Sequence, residues 1–237
     1  MKTKVPMLLM FMTSIGLAAA ATVMAQSHEA ERVAKATTVF EEIMAVPDKA
    51  IPEKILANAD AIAVFPSTLK GGFGIGAQHG KGIISRRNRE TGAWTAPGFL
   101  SLTGGSFGAQ IGGQSLDLVL VVMNKSGLDS LMKSEFKIGG DASVAAGPVG
   151  RSAEAATDLL MKAEILSYSR GRGLFAGVSL NGSVVNEDED ANRDFYGRPI
   201  RNAQILDESP RPVGTSGKEP LPEVVTAWQK LLTRYAK

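Results

Sequence analysis

Between Gly71 and Gly113 the chain places 13 of its 26 glycines, in a stretch whose other residues read as strand rather than linker. In Gly72-Phe73-Gly74-Ile75-Gly76-Ala77 glycine alternates with apolar residues. Successive strand residues point to opposite faces, so a strand of this kind carries side chains on one face and bare backbone on the other. Something must lie close against the bare face. Either a second layer approaches it, a helix or a strongly bent sheet, or a ligand is cradled there.

The N-terminus bears Lys2 and Lys4, then an apolar run from Val5 to Ala21 broken by Thr13, Ser14 and Gly16, then Val23-Met24-Ala25 before Gln26. These are the three parts of a cleaved secretory signal. Cleavage is expected after Ala25, with residues 1–25 as the signal and an exported, periplasmic or envelope-associated product; an uncleaved membrane anchor is the alternative. Cleavage removes two lysines and no acid, leaving 24 basic against 24 acidic residues in 212. A formally neutral chain gives no support for nucleic-acid binding, and attraction to anionic surfaces has to come from local clusters. Cysteine is absent, which excludes disulfides, thiolate metal sites, cysteine nucleophiles and the acylated cysteine of a lipoprotein.

Val33, Ala36, Val39 or Phe40, and Ile43 recur at helical spacing among charged residues, predicting an amphipathic helix from Ser27 to Met44 that Pro47 ends. Pro52 to Asn58 reads as a short helix, and Ala61 to Phe65 as a buried strand stopped by Pro66. Gly82 to Ser85 and Ala93 to Ala96 flank Arg86-Arg87-Asn88-Arg89-Glu90-Thr91-Gly92, a hairpin with a basic tip. Leu116 to Met123 is apolar on both faces except at Asp117, which predicts a central strand and a partner for that carboxylate. A helix is expected from Ser126, as N-cap, to Phe136. Ile165 to Arg170 and Gly173 to Leu180 read as strands, and Asn181-Gly182 as a turn into Val184-Val185. Residues 210–222 read as a Pro-rich linker, and residues 223–237 as a C-terminal amphipathic helix with Val224, Val225, Trp228, Leu231, Leu232 and Tyr235 on one face. The expected architecture is a single α+β domain over residues 26–209: a glycine-rich, mostly antiparallel bent sheet or partial barrel packed with helices, plus the N- and C-terminal helices.

Several stretches together resemble the SYLF domain family over Asp60 to Leu206: Trp94-Thr95-Ala96-Pro97, Gly104-Gly105-Ser106-Phe107-Gly108, Gln110 to Gln114, Asp117, Gly147-Pro148-Val149-Gly150-Arg151, Ser167-Tyr168-Ser169-Arg170, Gly173 to Leu180, and Asn192 to Gly197. The resemblance implies non-catalytic binding of anionic or phosphoinositide-like phospholipid, with actin binding in some fungal relatives. For an exported protein it transfers affinity for anionic lipid more readily than a particular headgroup or an endocytic role. Asn192, Tyr196 and Gly197 belong to the family pattern and read as structural.

A headgroup site needs clustered guanidinium donors beside apolar surface. Arg151, Arg170 and Arg172 match the family's positively charged positions, and Arg86, Arg87 and Arg89 form a second cluster at the hairpin tip. Each is equally well read as a solvated surface charge or as the partner of an acid such as Asp117 or Asp141. Charge reversal at Arg170 and Arg172 is expected to weaken vesicle binding more than reversal at Arg86 and Arg87. The two terminal helices either pack on the domain or lie on a bilayer. An enzyme is not expected: the only histidines are His28 and His79, and no nucleophile elbow or phosphate loop accompanies them. Asp188, Asp190 and Asn192 start like a calcium loop, but Arg193 and Pro199 stand where glycine and glutamate are needed, so this stretch reads as a solvated loop. No cofactor or metal is implied. The alternative function is a periplasmic scaffold that uses the same surface for an envelope protein partner.

Overall fold

The structure is a computed structural model that describes residues 28–46, 51–133, 135–138, 143–149, 163–171, 174–177, 180, 182–208 and 221–236. For residues 72–76, 106–113 and 174–177 it describes the backbone alone. The expected signal, most of the linker, Asp141, Arg151 and Arg172 lie outside the described residues.

Two long strands dominate. β1 (Ala61–Arg86) pairs antiparallel with β2 (Gly98–Val122), from Ala61 opposite Val122 to Ile84 opposite Gly98. β1 does not stop at Pro66. The register shifts between Phe65 and Thr68, with Ser67 at φ 52°, and a bulge of this kind accommodates a residue without an N–H while bending the strand. Asp117 meets the bulge: its Oδ1 accepts from the Ser67 N–H at 3.0 Å. The ribbon then curls until its two halves meet. The Arg87 N–H donates to the Asp60 carbonyl at 2.8 Å, and Gly82 lies against the Val64 carbonyl and the Phe65 ring. The bare face at Gly80 and Gly82 is therefore covered by Val64, Phe65 and Thr68 of the same strand. Here the neighbour is a bent sheet.

Five shorter strands complete a seven-stranded sheet: β3 (Glu135–Lys137), β4 (Val144–Ala146), β5 (Ile165–Gly171), β6 (Leu174–Gly177) and β7 (Ser183–Glu187). β2 pairs with β7 over Leu100–Gly104 and with β5 over Asp117–Val122, so one strand joins both flanks. Among the described residues every strand pairing is antiparallel except β4 with β5. The result is the curled half-barrel of an α+β domain.

Period-two alternation sends one set of residues to each face of this sheet. Ile62, Val64, Ile83, Val119, Val121, Leu166 and Tyr168 join one core; Ala61, Ala63, Phe65, Ile84, Leu118, Leu120 and Val122 join the other. The first core is covered by α1 (28–44), α2 (Glu53–Ala57), α4 (Glu189–Tyr196) and α6 (Glu223–Tyr235). The second is closed by α3 (Lys125–Leu131), Phe136, Val185 and Leu206 of α5 (Asn202–Glu208). Both terminal helices pack on the domain. Val33, Ala36, Phe40 and Ile43 of α1 are buried, and the Phe40 ring meets Trp228 of α6 edge-on at 5.8 Å.

Two expected elements differ. α3 is capped by Asn124, whose Oδ1 accepts from the Gly127 N–H at 2.9 Å, while the Ser126 hydroxyl donates to Glu164 instead. This helix ends at Leu131, and Phe136 lies in β3. The stretch expected as a solvated loop is helical: Asp188 caps α4, Glu189 and Asp190 occupy its first turn, and Gly197 closes it in the left-handed region. An acid at the N-cap, acids in the first turn and a glycine beyond the end are the ordinary signs of a helix, and the partial likeness to a calcium loop obscured them. Asn192 is structural as expected. Fully buried, it accepts from the Phe99 N–H at 3.0 Å and donates to Asn202 at 2.9 Å. The Tyr196 hydroxyl donates to the Pro97 carbonyl at 2.7 Å.

Candidate functional site

The turn between the two long strands carries the first arginine cluster, and its shape follows from the local residues. Asn88 Oδ1 accepts from the Glu90 and Thr91 N–H groups at 2.9 Å each, and Gly92 takes φ 72°. Arg87 and Trp94 face each other across the turn, and the Thr95 hydroxyl accepts from the Arg86 N–H at 3.0 Å. This turn forms one wall of a cleft of about 560 Å³. Leu128 and Lys125 of α3 and Leu206 and Asp207 of α5 also line it. The cleft therefore gathers Arg86, Arg87, Arg89 and Lys125 from two elements, with Asp60, Glu90 and Asp207 among them.

The cations differ in how firmly they are held. Arg89 pairs with Asp60 and also donates to the Asn58 carbonyl at 3.1 Å. Lys125 pairs with Asp129 one turn along α3 at 2.6 Å. Arg86 reaches Asp207 at 3.4 Å, a long contact between exposed side chains. Arg87 donates to the Ala57 carbonyl at 2.9 Å and meets no carboxylate among the described residues. Among the described residues the cleft thus has one guanidinium without a carboxylate contact and a second that is weakly engaged, with the Glu90 carboxylate also in the lining. Apolar floor and guanidinium forks side by side suit a ligand with an oxyanion at one end. Trp94 forms the partition to a second groove lined by Thr226, Gln229, Lys230 and Arg234 of α6, and its buried indole N–H has no acceptor among the described residues.

Arg170 stands elsewhere and is differently occupied. Its guanidinium makes two bonds to Asp117 Oδ2, at 2.7 and 3.1 Å, and reaches Glu42 of α1 at 2.5 Å. Burial alone lowers its pKa, but the hydrogen bonds and charges of Asp117 and Glu42 outweigh that and hold its proton more tightly than usual. With two carboxylates around one cation, this group ties α1 to the bulge of β1. An incoming phosphate would have to displace both acids. Among the described residues, Arg86 and Arg87 are therefore less engaged by carboxylates than Arg170 is.

A buried network sits at the other end of α1. Arg32, 6% exposed, pairs with Glu29 at 2.9 Å and with Asp188 at 2.9 Å, and its guanidinium lies 5.2 Å from the centre of the Phe99 ring. Lys81 adds a contact to Asp188 at 3.2 Å. Burial raises the Asp188 pKa, yet the Arg32 and Lys81 contacts overcome this and hold it below the usual aspartate value. His79 is exposed on β1 opposite Thr103, and its imidazole makes no hydrogen bond to a described residue.

Sequence reasoning found the arginines of the turn but not Lys125, Leu128, Leu206 or Asp207. Lys125 and Asp207 are far from the turn in sequence, and no spacing rule connects them to it. Trp94 was visible only as part of the hairpin flank and of a family motif.

Residues 103–228 match the family described as Ysc84, Las17-binding protein actin regulator. The chain is 38% identical over 188 residues to the human SH3 domain-containing YSC84-like protein 1, covering 78% of this chain and 54% of that protein. The Xenopus laevis protein of the same name is 36% identical over 183 residues, covering 76% and 54%. LAS seventeen-binding protein 3 of Saccharomyces cerevisiae is 38% identical over 170 residues, covering 70% of this chain and 36% of the yeast protein. The chain spans about half the length of the vertebrate relatives and about a third of the yeast one.

Proposed function

Since the chain belongs to the Ysc84/SYLF family, whose model and yeast relative are named for binding a protein, we propose that it is a non-catalytic module that docks on anionic phospholipid surfaces. The observation that carries this reading is the cleft at the β1–β2 turn, where Arg86 and Arg87 stand beside the apolar floor of Leu128 and Leu206. Guanidinium groups hold phosphate oxygens by forked, charge-assisted hydrogen bonds, and an apolar floor accepts the glycerol end of a headgroup. The secretory pattern ending at Ala25 supports an envelope membrane as the surface concerned.

The test is co-sedimentation of the protein with neutral and anionic vesicles at low and physiological salt. Binding confined to anionic vesicles and weakened by salt is expected. Reversing Arg86 and Arg87 to Glu should weaken it by about tenfold or more, at about 1 kcal/mol per basic residue near the surface. Arg170→Glu should have a smaller effect on binding in whatever fraction remains folded. A second reading, a scaffold for a protein partner, draws support from the relatives' names, which refer to protein binding. Salt-insensitive capture of one envelope protein, with no vesicle binding, would favour it.

A further inference from the structure

Asp207 occupies a position that its own helix disfavours. It lies in the last turn of α5, where backbone carbonyls point outward, and that turn also holds Glu208 and no basic residue. Its side chain is 79% exposed, and its ion pair among the described residues is the 3.4 Å contact to Arg86. Helix position and burial give it nothing, while the neighbours that fix α5 do so firmly: Asn202, Ile205 and Leu206 are buried. The carboxylate is held at the mouth of the cleft by a scaffold that does not depend on the ion pair.

We propose that Asp207 is an internal competitor that sets the anion selectivity of the cleft, its carboxylate standing on Arg86 where a ligand oxyanion would stand. This rests on reading the cleft as an anion site. Since Arg89 and Lys125 are already paired, the cations of the cleft left open to a ligand among the described residues are Arg87 and whatever part of Arg86 the ligand wins from Asp207. A carboxylate ligand merely exchanges for another carboxylate. A phosphate group offers more charge and more oxygens than a carboxylate, so it displaces Asp207 from Arg86 where a carboxylate does not. The recognised chemistry is a phosphate oxyanion, from a lipid headgroup or from a soluble phosphate.

Asp207→Asn keeps the size of the side chain and removes its charge. Asp190→Asn makes the same charge change on α4, where Asp190 pairs with Arg193 and does not line the cleft. Wild type and both variants are titrated with phosphatidylcholine vesicles doped with phosphatidylserine, and separately with inositol hexakisphosphate. Asp207→Asn should tighten whichever probe binds by about two- to fivefold, the range of an exposed ion pair, while Asp190→Asn leaves it unchanged. Asp207→Asn should also admit free citrate as a competitor that wild type resists. Equal behaviour of Asp207→Asn and wild type, or of the two variants, overturns the inference while leaving the lipid reading intact. Binding of the soluble probe alone overturns the lipid reading and leaves Asp207 to be judged by its own shift; binding of neither probe overturns both.

Discussion

At the residue level, much of this molecule depends on where a side chain is missing. A Cβ at Gly82 would stand 2.5 Å from the Phe65 ring and 2.6 Å from the Val64 carbonyl, and a backbone atom has little room to give. Gly82→Ala should destabilise the protein by about 1–3 kcal/mol, the ordinary cost of overpacking a core, as read from urea denaturation. A change within about half a kilocalorie would mean that the ribbon halves are less tightly opposed. The buried amides make the complementary case. Asn192 holds Phe99, Glu187 and Asn202 together, so Asn192→Ala leaves buried partners unpaired and should cost about 1–3 kcal/mol. Alternation of glycine with apolar residues at 72–77 pointed to a bare strand face, and the close approach that the structure describes is a few residues on, at Gly80 and Gly82. That the neighbour is the same strand was not legible, since it depends on a bulge at Pro66-Ser67 that no local preference announces.

The helices were the more legible elements. Val33, Ala36, Phe40 and Ile43, and on α6 Val225, Trp228, Leu231 and Leu232, are buried where periodicity placed them. The Trp228 indole N–H donates to the Ser85 hydroxyl at 2.9 Å inside the core. Trp228→Ala should cost about 3–5 kcal/mol in the same denaturation assay, far more than loss of a surface aromatic on a helix docked elsewhere. The polar ties of α1 were less legible, since Arg32 and Asp188 are 156 residues apart. They give the element a pH dependence of definite sign. The Asp188 carboxyl is held below its ordinary value in the folded state, so its contribution is complete above about 3.9, the usual aspartate pKa, and disappears as pH falls through the lower folded value. Asp188→Asn should therefore lower stability at neutral pH and flatten its further fall in acid, as measured by unfolding midpoints across the acid range. Parallel curves for variant and wild type would show that the Arg32 pair carries no such linkage.

For the whole molecule, the sheet is unevenly supported. Asp117 to Val122 of β2 is flanked by β1 and β5 and lies between two cores, whereas residues 106–115 pair with β1 and no other described strand. Hydrogen exchange should reach the amides of residues 106–115 well before those of 118–122; uniform protection along β2 would contradict this picture. The fold class and the family were readable from the chain because a bent glycine-rich sheet and a set of ordered motifs both leave marks in sequence. The cleft was only half readable. Its arginines sit in one turn, but the rest of its lining is carried by α3 and α5, which arrive from distant parts of the chain.

The register of the long ribbon has a kinetic consequence. Ile84 and Gly98 are partners fourteen positions apart, while Ala61 and Val122 at the other end are sixty-one apart. Closing the short loop first costs the least chain entropy, so pairing should start at the arginine turn and travel outward. The segment that holds the cleft's guanidinium groups would then also be the starting point of assembly. Gly92, at φ 72°, is the residue on which that start depends. In stopped-flow refolding, Gly92→Ala should slow folding and leave the unfolding rate nearly unchanged; faster unfolding alone would place the starting point elsewhere. Selection on this turn would then answer to two demands at once, the shape of the cleft it walls and the speed with which the chain finds its own.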